Sequence, residues 1–401
     1  MKTTTPNPSA VKIPWSGRAF DYSEEEIAAV VDVMRHGDPL TQGRRQAQFE
    51  TEFARYIGSP AAFATTNCTN ALDLAAILTG LEKGDEVIIP AHTFCATAIP
   101  FGRTGAKIVW ADIDPKTWVI SAESVRRLLT PKTKVVVVVH LYGLMADMTA
   151  LSALSQKHGF QIVEDCAQAV GAELNGRKAG SIGDFGTFSF HCQKSMTTLG
   201  EGGALTVKDE RKARLVPGLR HNGVRAYPDP REDYWLPAMS NVDLDIPEVW
   251  PYNFCMTEAQ AALASAVLPR LEAMNAARTR RASAFKTALA DFPELSFQAV
   301  PEGRKHAYHL LPGKYTGRAG VTRDDLIRTL WSDYGIKAIV QYHPLYRYPL
   351  FQKMGFGEHS CPDTDALFDN MISFPFHLWM TDADFDYLTQ STKQALTRLR
   401  R

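Results

Sequence analysis

Charge of one sign is what this sequence most lacks. Its 44 basic residues are matched by 44 acidic ones, for a formal net charge of zero, and no block of five like charges occurs. That balance argues against a dedicated nucleic-acid or anionic-membrane surface, which charge blocks would signal. Local clusters such as "RTRRA" (278–282) read as the solvated face of a helix. Paired cysteines are absent as well. Cys68, Cys95, Cys166, Cys192, Cys255 and Cys361 lie far apart, with no CxxC. They read as free thiols of a reducing compartment rather than a disulfide framework or a zinc site, so no metal is expected. Long apolar runs are missing too. The longest, "VVVVVHLYGLM" (135–145), is too short to cross a bilayer. The polar start, "MKTTTPNPSAVKIPWSG", has no apolar core of signal-peptide length. A soluble, cytoplasmic protein without nucleic-acid or membrane partners is expected. No repeat, low-complexity segment or helix-opening GxGxxG is found. "GSIGDFG" (180–186) has the wrong spacing and precedes a strand, which argues against a dinucleotide oxidoreductase.

What is present is a chain of 401 residues, 45% hydrophobic, enough for a large core and two domains. Residues 23–57 read as helical, with Ser23 as N-cap and Gly37 as a stop. Beyond residue 60, helix and strand alternate. "GDEVIIP" (84–90), "AKIVWADID" (106–114), "KVVVVVHLYG" (134–143), "FQIVEDCAQAVG" (160–171) and "GTFSFH" (186–191) read as strands, with helical patterns at 121–129 and 148–158 between them. Continuous Val/Ile runs indicate strands covered on both faces, so the fold class is α/β with a mostly parallel sheet flanked by helices. The stretch 221–252 has little periodicity and is long for a connection, which points to function or partner contact. A long helical pattern over 257–292, kinked at Pro269, leads into shorter strands and helices. The expected division is a large domain over 1–270, with an arm over about 1–20, and a smaller α+β domain over 271–401.

Chemistry gathers where strands end, the side on which parallel α/β sheets bind ligands. Glu164 and Asp165 finish one strand, Ser189 and Lys194 follow another, and Phe94 follows a third. The turn "TTNCTNALDL" (65–74) puts small hydroxyl residues at a helix start, where free N–H groups suit a phosphate. Taken singly, a strand-end carboxylate or Thr69 is as readily a helix N-cap. Together the set fits pyridoxal phosphate, whose aldehyde needs a lysine. Its ring nitrogen needs a buried carboxylate, its ring an aromatic face, and its phosphate N–H and hydroxyl donors. His140 reads as a hydrogen-bonded core histidine. His191, Tyr342 and His343 read equally as packing or as pocket lining, and Trp235 and Trp250 as contacts to a nucleotide or a partner subunit.

"SFHCQKSMTTLGEGGALTV" (189–207) resembles the cofactor-lysine signature of the DegT/StrS-type sugar aminotransferases, which are fold-type-I pyridoxal phosphate enzymes. "TTNCTNALDLAAILTGLEKGDEVIIPAHTFCATA", "VVHLYGLMADM", "IVEDCAQAVGA" and "PYNFCMTEAQAALA" resemble the family's other blocks in order, over roughly residues 20 to 395. The resemblance implies that Lys194 forms the Schiff base and serves as acid and base, and that Asp165 faces the pyridine nitrogen. It implies Gln168 near the ring 3-hydroxyl, Phe94 stacked on the ring, and Ser189 with Cys68 and Thr69 on the phosphate. Asn253 would reach the phosphate of the neighbouring subunit in a homodimer with shared active sites. The implied reaction moves nitrogen from glutamate or glutamine, through pyridoxamine phosphate, to a keto-sugar linked to a nucleotide.

The sequence departs from the family pattern where the outer parts of a substrate would bind. Cys68 replaces a usual glycine, Cys255 a usual arginine, and Gln341 in "VQYHPLY" the histidine of His-Tyr-x-Pro. Keto-cyclitol amination, a sugar dehydratase and a non-catalytic member of the fold are the alternatives. Lys194 argues against the dehydratase, which typically carries histidine there, and the Asp165/Lys194/Ser189 set argues against a protein without chemistry.

Overall fold

The computed structural model describes residues 11–224, 249–318 and 320–400. Its centre is a sheet of β1 (Ala61–Thr65), β2 (Glu86–Pro90), β3 (Lys107–Ala111), β4 (Thr133–Val139), β5 (Gln161–Asp165), β6 (Phe185–Ser189) and β7 (Gly203–Val207), in the order β1-β7-β6-β5-β4-β2-β3. From β3 to β6 all pairings are parallel. Only β7 runs against its neighbours, β6 and β1. The valine run of β4 explains the burial of both faces. Val136 and Val138 point into one hydrophobic core and Val135 and Val137 into the other. Strand β2 divides the same way, Ile88 to the first core and Val87 and Ile89 to the second. Every residue of β2 and of the run Val135–Val139 in β4 is buried, so apolar residues run on there without alternation.

The helical segment over 23–57 is two helices. Ser23 caps α1 (Glu24–His36) in a capping box with Glu26, and Gly37 ends it. Helix α2 (Arg44–Ile57) starts at Gly43, which offers no side chain to its free amides. The buried Glu258 supplies the acceptor instead, receiving N–H bonds from Gly43, Arg45 and Gln46 at 2.9, 2.8 and 3.0 Å. Helix α3 (Cys68–Leu78) follows β1, and α4 (Ala122–Leu128) and α5 (Met148–His158) fall on the helical patterns at 121–129 and 148–158. The long pattern after 257 is α6 (Glu258–Val267) and α7 (Leu271–Ala288), joined by a 3-10 turn at Leu268–Arg270 that contains Pro269.

A second, antiparallel sheet of β8 (Leu295–Phe297), β9 (Leu311–Tyr315) and β10 (Met371–Phe374) lies in the C-terminal part. Its core joins residues of α7 to the helices Arg323–Tyr334 and Asp382–Leu399. One charge cluster differs from the sequence reading. Arg278, in "RTRRA", is only 2% exposed. Its guanidinium faces the carbonyls of Tyr308, His309 and Phe376 at 3.4–3.5 Å, and burial lowers its pKa to about 10. Of the stretch 221–252, residues 225–248 and with them Trp235 lie outside the described residues, while Trp250 is highly exposed.

Candidate active site

A cavity of about 400 Å³ opens at the carboxyl ends of β2, β5 and β6. Cys68, Thr69, Phe94, Asp165, Gln168, Ser189 and Lys194 all line it. Asn253 does not. It is exposed and pairs in an isolated bridge with His221.

One corner is built by a close approach. Gly203 sits opposite Ser189 in the β6–β7 register, and a Cβ there would lie 2.5–2.7 Å from backbone atoms of Asn67 and Cys68. The absence of that carbon lets the start of α3 lie directly on β7. The N-cap of α3 is Asn67, not Thr69, and its side chain accepts from Asn70 N at 2.9 Å. Ala71 N bonds to Asn67 O at 3.2 Å. The amides of Cys68 and Thr69 form no such bond among the described residues. They remain as donors at a helix N-terminus, the arrangement that receives anions. Among the described residues Ser189 Oγ accepts only a long bond from His191 N, 3.4 Å, so its proton is available to the same corner. The Cys68 thiol is a neutral neighbour, since burial pushes its pKa well up and Asp165 adds to the shift.

The floor is the end of β5. Glu164 and Asp165 are adjacent, but their side chains turn to opposite faces of the sheet, as strand geometry requires. Glu164 is fully buried with His140, whose Nδ1 accepts from Ala146 N at 3.2 Å. The imidazole proton is therefore on Nε2, 2.8 Å from Glu164 Oε2. Gly180, Ile182 and Gly183 donate their amides to the same carboxylate at 3.0, 2.7 and 2.6 Å. Burial alone would raise the Glu164 pKa, but these bonds outweigh it and hold it low. Cys166 brings a third ligand-type atom within 4.8 Å, yet Glu164 is already occupied by these four donors.

Asp165 faces the cavity. Its Oδ2 accepts from Thr97 Oγ1 at 2.7 Å and its Oδ1 from Ala167 N at 3.0 Å. Gln168 is fixed at both ends, its Oε1 accepting from Tyr142 N at 2.7 Å and its Nε2 donating to Tyr342 Oη at 2.8 Å. Tyr342 thus belongs to the cavity wall, whereas His343 packs on Tyr348 and Phe368 instead. Phe94 stands at the opening, its ring 6.0 Å from that of Tyr342.

Lys194 lies in the excursion between β6 and β7, its N–H bonded to His191 O at 2.8 Å. Burial lowers its amine below the usual lysine range. The negative charge of Asp165 opposes that shift without hydrogen bonding to the amine. An ammonium held this way is easily neutralised and becomes a nucleophile. His191 and Glu201 line the mouth beside it, 4.0 Å apart. Thr93, Thr97, Gln193 and Glu201 were not singled out from the sequence. The only signal was their place within the strand-end segments "PAHTFCATA" and "HCQKSMTTLGEGG".

The donor set fits pyridoxal phosphate, with unpaired amides at the start of α3 for an anion, an oriented carboxylate on the floor, and an amine of lowered basicity across from it. Comparison with known proteins agrees. Residues 21–393 match the profile of the DegT/DnrJ/EryC1/StrS aminotransferase family. The chain is 35% identical over 376 residues to the spore coat polysaccharide biosynthesis protein SpsC of Bacillus subtilis, covering 92% of this chain and 94% of that one. It is 34% identical over 359 residues to the GDP-perosamine synthase of Caulobacter vibrioides, covering 88% and 91%. The X-ray structure of an aminotransferase from Psychrobacter cryohalolentis matches with a TM-score of 0.87 at 31% identity, over 97% of this chain and 100% of that one. The chain belongs to the DegT/DnrJ/EryC1/StrS family and is a pyridoxal phosphate-dependent aminotransferase.

Proposed function

We propose that this cavity holds pyridoxal phosphate on Lys194 and that the chain moves an amino group from glutamate or glutamine to a nucleotide-linked keto-sugar, in amino-sugar biosynthesis. The observation that carries the reading is the meeting of Lys194, Asp165, Ser189 and the start of α3 in one cavity. Bound there, the cofactor supplies an aldehyde that takes up the donor's nitrogen, carries it as pyridoxamine phosphate, and offers a cationic ring that withdraws electrons from the reacting carbon.

The chain's own residues do the rest. The Cys68 and Thr69 amides and the Ser189 hydroxyl bind the phosphate. Asp165 sets a fixed negative charge against the ring nitrogen, a preorganised electrostatic contribution. Gln168 directs its amide at the 3-hydroxyl edge, and Phe94 covers one ring face. Lys194, once released by the donor, moves the proton at the reacting carbon. Its lowered basicity leaves more of it neutral, and so able to take that proton, than an ordinary lysine would have.

The site is completed in a homodimer, with Asn253 of one copy reaching the phosphate held by the other. Support comes from Asn253 itself, which is exposed and lies outside its own chain's cavity. Exposed Leu199, and exposed Trp250 and Tyr252 next to Asn253 in sequence, add apolar surface of the kind a second copy would cover. The GDP-perosamine synthase among the relatives favours a nucleotide-linked acceptor.

A spectrophotometric half-reaction test checks the assignment. Protein reconstituted with pyridoxal phosphate should show a visible band that L-glutamate or L-glutamine bleaches and one keto-sugar nucleotide of a panel restores. A band bleached by the donor but restored only by a keto-cyclitol would overturn the acceptor. No band after reconstitution would overturn the function.

A further inference from the structure

Asp165 does not stand alone on the cavity floor. Thr97 Oγ1 is 2.7 Å from its Oδ2, and Thr93 Oγ1 is 2.9 Å from Thr97 Oγ1. Both threonines are 1% exposed and both line the cavity. They meet because Cys95–Thr97 closes a 3-10 turn directly after Phe94, with Thr97 N bonded to Phe94 O at 3.1 Å. Phe94 is thereby turned outward while the hydroxyls on either side of it turn in.

The direction of this chain of bonds follows from counting protons. A hydroxyl has one proton to donate, and a carboxylate that balances a ring cation only accepts. Thr97 therefore gives its proton to Asp165. Toward Thr93 it is then an acceptor, and Thr93 is the donor. The result is a polarised relay, Thr93 to Thr97 to Asp165, in a site shielded from water, where successive bonds strengthen one another. The Ala167 amide holds the other oxygen at 3.0 Å, so the carboxylate is pinned at both ends and its rotation is fixed.

We propose that Thr97, backed by Thr93, is a positioning residue that aims Asp165 at the cofactor's ring nitrogen. It acts through Asp165 and touches no reacting atom. The inference rests on the reading of this cavity as a pyridoxal phosphate site with Asp165 at that nitrogen. Without the Thr97 hydroxyl, one carboxylate oxygen loses its only donor among the described residues, and the side chain is free to swing about its broad terminal torsion.

The test measures cofactor affinity, not turnover. Full-length protein freed of cofactor is dialysed to equilibrium against pyridoxal phosphate, and against its analogue with CH in place of the ring nitrogen. Thr97→Val keeps the side chain's shape and removes the hydroxyl, and its affinity for pyridoxal phosphate should fall about tenfold or more, as expected for a bond to a charged group. Thr97→Ser keeps the hydroxyl and should bind within about twofold of the parent. Thr93→Val, one bond further away, should lose about two- to threefold. Toward the analogue, Thr97→Val and the parent should bind alike. Equal affinity of Thr97→Val and the parent for pyridoxal phosphate would overturn the proposal. So would an equal loss toward the analogue, or a Thr97→Ser variant as weak as Thr97→Val, since both would mark a packing role. A parent that binds no pyridoxal phosphate would instead overturn the site reading beneath it.

Discussion

The floor and the mouth of the cavity are built differently. On the floor, Asp165, Gln168 and Thr97 are buried, and each is held by hydrogen bonds to other elements of the fold. At the mouth, Phe94 is 54% exposed, Leu199 has a left-handed backbone at φ 58°, and His191 and Glu201 face each other across 4.0 Å with no closer bond. A rigid floor suits a cofactor that never changes. A loosely held mouth suits a substrate that differs between relatives.

That contrast can be broken at the floor first. Gly203→Ala drives a Cβ into the start of α3, with rigid backbone rather than a flexible side chain as its neighbour. Overpacking of this kind costs about 1–3 kcal/mol. Pyridoxal phosphate affinity should fall about 10- to 100-fold if the strain is relieved by moving the α3 amides. Equilibrium dialysis and a melting curve separate that outcome from simple destabilisation.

The second way is through pH. Because burial lowers the Lys194 pKa, its neutral amine appears at lower pH than an ordinary lysine's, whose pKa is about 10.4. Below the lowered value, the rate at which cofactor-free protein captures pyridoxal phosphate should rise about tenfold per pH unit and then level off. Stopped-flow absorbance measures it. A rise continuing unchanged through the ordinary lysine range would contradict the burial argument.

The smallest effect belongs to the mouth. Phe94→Ala should weaken cofactor binding only about 3- to 10-fold, the scale of one partly exposed aromatic contact. It should alter the KM of the acceptor more than that of the amino donor. A loss as large as that of Gly203→Ala would erase the distinction between floor and mouth.

The same contrast governs how much could be read from the sequence. Asp165 and Ser189 were legible because each ends a strand whose Val/Ile or Phe pattern is plain, and Lys194 because it follows the second of those strands closely. The order of strand and helix from 84 to 191 was legible for the same reason, and Ser23, Gly37 and Pro269 marked helix ends by their chemistry. "AAFAT" (61–65) was not read as a strand, because alanine carries little β signal and its partner β7 lies far along the chain. Thr97 and Gly203 matter only through atoms that long loops bring beside them, Asp165 and the backbone of Asn67. Arg278 was read as solvated because charge alone cannot reveal three backbone carbonyls gathered from two distant segments.

The proposed reaction depends on a covalent bond between one lysine and the cofactor. Protein reconstituted with pyridoxal phosphate, reduced with borohydride and digested, should yield a single modified peptide, with the added mass on Lys194. Modification of another lysine, or none, would contradict the account.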